Sequence, residues 1–123
     1  MGRILMIVAL GGAVLASPSI AADAGKGKAV FQGQCSICHA AVAGKPSGIG
    51  PNLYGVIGRV AGTLPKYQYS SAMKAAHFAW SADRLRAYLP APSKAVPGNK
   101  MPYAGLKNPQ QLNDLIAYLA TLK

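Results

Sequence analysis

From Ala40 to Lys66 the chain shows neither the 3.6-residue period of a helix nor the alternation of a strand. Gly44, Pro46, Gly48, Gly50, Pro51, Gly55, Gly58, Gly62 and Pro65 punctuate it as one long loop. Loops of that length in a small domain are functional or wrapped around something. A second loop follows, marked by Pro90, Pro92, Pro97, Gly98, Pro102 and Gly105. With 14 Gly and 9 Pro in 123 residues, and only 13% charged side chains, a coiled coil and a disordered polyampholyte are excluded. The length leaves room for one domain and not for a multi-domain enzyme.

Between the loops the signals are helical. Asp23 is placed to cap a helix running toward Cys38, with Gly27, Phe31, Cys35 and Cys38 on one face. Ser70 caps a short helix through His77, and Ser81 caps another carrying Leu85, Tyr88 and Leu89 up to Pro90. Asn108-Pro109-Gln110-Gln111 supplies an N-cap, a first-turn proline and a capping-box glutamine. Leu112, Leu115, Ile116, Leu119 and Leu122 then trace an apolar stripe. No strand pattern longer than a few residues and no internal repeat is found. The chain reads as all-α.

The N-terminus has a different character. Met1-Gly2-Arg3 is a short basic start, and Ile4 to Ala16 is an uncharged, mostly apolar run. At 1.5 Å per residue that run spans about 20 Å, short of the roughly 30 Å hydrocarbon core. Ser19-x-Ala21 and Ile20-x-Ala22 both fit a cleavage pattern, the first slightly better on small-residue grounds. Residues 1–22 are therefore expected to be a cleaved secretory signal, against the alternative of an uncleaved anchor, and residues 23–123 the mature domain. Cleavage after Ala22 removes 22 of the 123 residues and one of the 13 basic side chains, Arg3. It leaves 101 residues with a net charge of +9. A domain so small buries only about two thirds of its unfolded surface, so a further core component would help it.

Cys35-Ser36-Ile37-Cys38-His39 is a C-x-x-C-H motif, the attachment signature of c-type haem. On a helical turn two thiols so spaced can form thioethers with two porphyrin vinyl groups, and His39 is carried under the ring toward iron. Three alternatives compete. A redox dithiol needs a strand before Cys35, and none is read there. A zinc site would have to draw on Cys35, Cys38, His39 and His77, with Cys38 and His39 projecting apart. An exported disulfide leaves His39 unexplained. For the second axial position the candidates are His77, Met73 and Met101. Met101 lies between Pro97 and Pro102, where an extended segment lets a thioether reach inward. It is the preferred ligand, and a His/Met pair raises the reduction potential.

With these residues the chain resembles the class I cytochromes c, in the mitochondrial-like branch found as soluble carriers in bacteria. The resemblance runs from about Gly25 to Leu122. It rests on Gly27-Lys28-Ala29-Val30-Phe31, Cys35 to His39, Gly50-Pro51-Asn52-Leu53, Gly58-Arg59, Trp80, Tyr88-Leu89, Pro97 to Met101 and Asp114 to Leu119. It implies a small cytochrome c fold: four to five helices and long loops around one covalent haem c. It also implies that the Pro51 carbonyl accepts the proton of the His39 ring, that Tyr88 lies near the Met101 sulfur, and that Gly27 lets the first and last helices cross beside Phe31 and Tyr118. Arg59, Tyr69, Ser70 and Trp80 match positions around the haem propionates. Two departures bear on that last network: Met73 where many relatives carry asparagine, and Asn99 where they carry threonine.

The function implied is that of a monomeric, exported, periplasmic one-electron carrier rather than an enzyme, since both axial positions are filled. Haem adds one net negative charge when ferric, so the mature holo-protein would carry about +8 oxidised and +7 reduced. Such a surface seeks acidic faces on redox partners: a membrane cytochrome complex, an oxidase, a reaction centre or a dehydrogenase. Lys94, Lys100 and Lys107 lie in the matching docking segments, with Tyr103 near the haem edge. A peroxidase-like enzyme would need Met101 to leave iron and a distal acid–base group that is not seen. Nucleic-acid binding is suggested by charge alone and by no recognition motif. No stable membrane insertion is expected after cleavage.

Overall fold

A computed structural model describes residues 21–123, together with residues 9 and 11–13. The signal-peptide reading of 1–22 lies for the most part outside the described residues. Five helices follow in order: α1 (Ala24–Gln34), α2 (Ser71–Lys74), α3 (Ala82–Tyr88), α4 (Pro92–Ala95) and α5 (Pro109–Ala120). Among the described residues, extended pairing is limited to one antiparallel bridge, Val60 with Ala79. None of these helices is long and apolar enough to cross a membrane.

Most of the caps form where the side chains predict them. The Asp23 carboxylate accepts from the Lys26 amide at 3.1 Å, Ser81 Oγ from Arg84 at 3.0 Å, and Asn108 Oδ1 from Gln111 at 3.0 Å. Two helices end sooner than their periodicity suggests. Helix α1 stops at Gln34 because the Phe31 carbonyl takes both the Cys35 and Ser36 amides, at 2.8 and 2.9 Å. The amides of Cys38 and His39 then fold back onto the Cys35 carbonyl, at 3.1 and 3.0 Å. The C-x-x-C-H segment is thus a tight turn after the helix and not its continuation. Helix α2 ends at Lys74, short of His77, whose φ of 55° cannot extend a right-handed helix. Helix α4 falls inside the stretch that the prolines mark as loop; Pro92 starts it from the first-turn position where proline is tolerated.

Helices α1 and α5 cross at Gly27, where a β-carbon would lie 1.8 Å from the Asp114 carbonyl oxygen. The close approach brings Phe31 and Tyr118 together with ring centroids 5.6 Å apart. Leu112, Leu115, Ile116 and Leu119 of α5 are buried, and Leu85 and Leu89 join them in the same core. The long loop is tied down by polar side chains. Buried Asn52 donates from Nδ2 to the Val42 and Lys45 carbonyls at 2.7 and 2.8 Å, and its Oδ1 accepts from the Tyr54 amide at 3.0 Å.

Gly27→Ala is expected to destabilise the holo-protein by about 3 kcal/mol, lowering Tm by roughly 10–20 °C, because the colliding atom is backbone and cannot rotate away. Gly33→Ala, in the same helix but with nothing within 4 Å of the added carbon, should be neutral or stabilising in the same thermal scan.

Candidate functional site

An apolar cleft opens between the Cys35–His39 turn, the long loop, α2 and the segment around Met101, with Leu85, Leu115 and Leu119 at its base. The ten side chains singled out from sequence (Cys35, Cys38, His39, Pro51, Arg59, Tyr69, Ser70, Trp80, Tyr88 and Met101) all line it. His77 does not, and it is exposed.

On one wall the His39 Nδ1–H donates to the Pro51 carbonyl at 2.8 Å. Pro51 offers only an acceptor there, which fixes the tautomer and leaves Nε2 free for a metal. Burial lowers the proton affinity of His39, against the raising effect of the Pro51 bond. Gly50 keeps the ring in place, since a β-carbon there would come within 2.4 Å of Cε1. The imidazole is held neutral and oriented.

The thiols are not those of a redox dithiol. Burial first, and then neighbouring Cys38, push Cys35 up to about 11, the reverse of the lowered value an attacking thiolate requires. The zinc alternative fails on geometry: among the described residues no three of His, Cys, Asp and Glu converge on one point.

On another wall the Tyr88 hydroxyl donates to Met101 Sδ at 3.5 Å. Burial, followed by the nearby Tyr67, pushes Tyr88 up to about 12, so it remains a donor. Asn99 shapes the approach. Its Oδ1 accepts from the Met101 amide at 2.8 Å, and its Nδ2 donates to the Pro92 and Val96 carbonyls, both at 2.9 Å. Nothing in the sequence pattern singles Asn99 out for this role. A histidine with one nitrogen free, a thioether held by a phenol, two thiols at the rim and apolar walls fit a covalently held haem.

Residues 24–123 match the family model described as Cytochrome c. The chain belongs to this family. It is 49% identical over 100 residues to a cytochrome c2 of Agrobacterium tumefaciens, covering 79% of this chain and 89% of the relative. Identity to the cytochrome c of Chlamydomonas reinhardtii is 46% (80% of this chain, 88% of the relative), and to the cytochrome c2 of Rhodopila globiformis 45% (82% and 94%). Family members carry one covalently attached haem c and act as single-haem electron carriers, not enzymes.

On the side expected to hold the haem propionates, this cytochrome uses its polar groups partly on itself. Arg59 donates from its two terminal nitrogens to the Asn52 and Tyr54 carbonyls, at 2.9 and 2.7 Å. The Tyr69 hydroxyl oxygen accepts from the Leu64 amide at 3.2 Å, and Ser70 Oγ from Met73 at 3.1 Å; both keep an O–H to donate. Trp80 stacks edge-on against Tyr88 and Phe78. Met73 is 9% exposed and contributes a dry patch to the cleft wall. Sequence reasoning also misses the bond across the cleft from Tyr103 Oη to Gln34 Oε1 at 2.7 Å, because the two residues lie 69 positions apart.

With Met101 as the expected iron ligand, Tyr88→Phe should weaken the hold on it by about 1 kcal/mol, read as an earlier thermal loss of the far-red sulfur-to-iron absorption band. Met73→Asn should lower the midpoint potential, because an amide wets the wall and relieves the disfavoured charge of ferric haem. An unchanged or higher potential in that variant would show that hydrogen bonding to the propionates outweighs dryness.

Proposed function

We propose that this cytochrome is a monomeric periplasmic carrier, exported by residues 1–22. It passes one electron at a time between acidic docking faces of respiratory or photosynthetic redox proteins. The observation that carries the reading is the placing of His39, oriented by Pro51, and Met101, held by Tyr88, on the walls of one apolar cleft. Bound haem supplies the one-electron couple. Cys35 and Cys38 would tether it, and His39 and Met101 would take the two axial positions, leaving none for a substrate. Pro51 makes the imidazole a stronger ligand. The surrounding aliphatic side chains exclude water and favour the less charged ferrous state.

The rim of the cleft supports transfer by contact. Ile37 and Ile49, 84% and 69% exposed, give its mouth an apolar centre, and exposed Lys100 adds positive charge beside it. That is the layout of an interface with an apolar core and a polar rim.

Replacing both Cys35 and Cys38 with Ala should leave haem extractable by acid–acetone; haem retained through that treatment would refute the attachment. The second-order rate with an acidic redox protein should fall steeply as salt rises from 0.01 to 0.15 M, because the Debye length shrinks from about 30 to about 8 Å. A rate indifferent to salt would remove the electrostatic part of the proposal.

A further inference from the structure

Asp114 is 3% exposed, the one acidic side chain buried among the described residues. Its Oδ1 accepts from Gln110 Nε2 at 2.8 Å and from the main-chain N–H of Asp23, 91 positions away, also at 2.8 Å. No lysine or arginine pairs with it among the described residues, where the ion pair present is Arg86 with Asp83. A buried carboxylate with only neutral donors bears a desolvation cost that those donors offset in part. The same corner is the positive end of the α1 dipole, and the first turn of α1 holds no acidic residue of its own.

We propose that the chain is cut between Ala22 and Asp23, and that the cut itself completes the fold by making the cation Asp114 lacks. Hydrolysis by an export-linked endopeptidase adds water across the amide: Ala22 keeps a carboxylate and Asp23 an amine, which takes up a proton. The new ammonium stands where the neutral N–H already stood, 2.8 Å from Asp114 Oδ1. A neutral hydrogen bond becomes a charge-assisted one without movement of either helix. The geometry also chooses between the two cleavage patterns. A cut after Ala21 would leave the Asp23 nitrogen an amide and put the ammonium one residue, about 3.8 Å of chain, further off. A cut after Ala22 sacrifices little at this corner: the Gln110 bond to the Ala21 carbonyl, long at 3.4 Å, goes with the leaving segment.

The inference rests on the export reading, and the test separates the two. Intact-mass measurement of the exported holo-protein should find Asp23 as its first residue. A holo-protein still beginning at Met1 would overturn both; one cut after Ala21 would overturn this inference alone. Selective acetylation of the α-amine should lower the folding equilibrium constant at least tenfold, about 1.4 kcal/mol. In Asp114→Asn, where the amine keeps only the exposed carboxylate of Asp23 itself, acetylation should change it less than twofold. Equal losses in both proteins, or none in the parent, would refute the pair. An exported chain with one alanine inserted between Ala22 and Asp23, shown by intact mass to begin at the inserted alanine and with Asp114 untouched, should match the acetylated parent. Parent-like stability there would overturn the proposal even if Asp114→Asn fails to fold.

Discussion

The crossing of α1 over α5 at Gly27 is the contact on which the rest of the molecule depends. With one isolated bridge as the extended pairing among the described residues, no sheet is present to set a frame, and the other helices are seven residues or fewer. The missing β-carbon lets two backbones meet, so that Phe31 and Tyr118 pack beside the crossing. From there α1 delivers Cys35 to the rim of the cleft, while α5 sends Leu115 and Leu119 to its base. Each buried leucine or phenylalanine contributes about 1.5–3 kcal/mol, and only a few of them exist in a domain of this size. A planar apolar cofactor filling the cleft therefore doubles as core.

Loops that surround a cofactor still have to satisfy their backbone groups. In this cytochrome, side chains supply many of those partners. Asn52 binds two carbonyls and an amide of the long loop, and Arg59 binds two more carbonyls. Asn99 does the same for the turn before Met101. Both asparagines act as short pieces of missing secondary structure. His39 and Met101, the proposed axial ligands, lie on segments that such bonds, and not helices, hold in place.

What is legible in the sequence follows from this division. Local chemistry is readable: the caps at Asp23, Ser81 and Asn108, the α5 stripe, and the compact Cys35–His39 motif that points to a cofactor. So is the order of family motifs, which brings Pro51 to His39 and Tyr88 to Met101. Readings that need the path of the backbone fare less well. The end of α1 is decided by one carbonyl shared between two amides, which periodicity cannot register. Arg59 matches a position around the propionates and Asn99 departs from the family pattern beside it, yet both are bonded to main-chain atoms that only the folded loop brings near. The Tyr103–Gln34 bond joins residues 69 positions apart and leaves no local trace.

The charge distribution follows the same economy. The chain has three acidic side chains, and each is already engaged: Asp23 caps α1, Asp83 pairs with Arg86, and Asp114 is buried under the helix crossing. The exposed surface is left overwhelmingly positive, which favours steering at distance but not a particular docking pose. In the proposed docking, fixed cations would supply the rest. Lys100 bonds to the Gln68 carbonyl and lies 4.9 Å over the Tyr67 ring, while Lys107 bonds to the Pro90 carbonyl. Immobilising a free lysine on binding costs about 0.5–1.5 kcal/mol, and a side chain already held loses less. On the proposed docking face, a thin ring of two anchored lysines can therefore do the orienting that a fuller ring of mobile ones would do elsewhere.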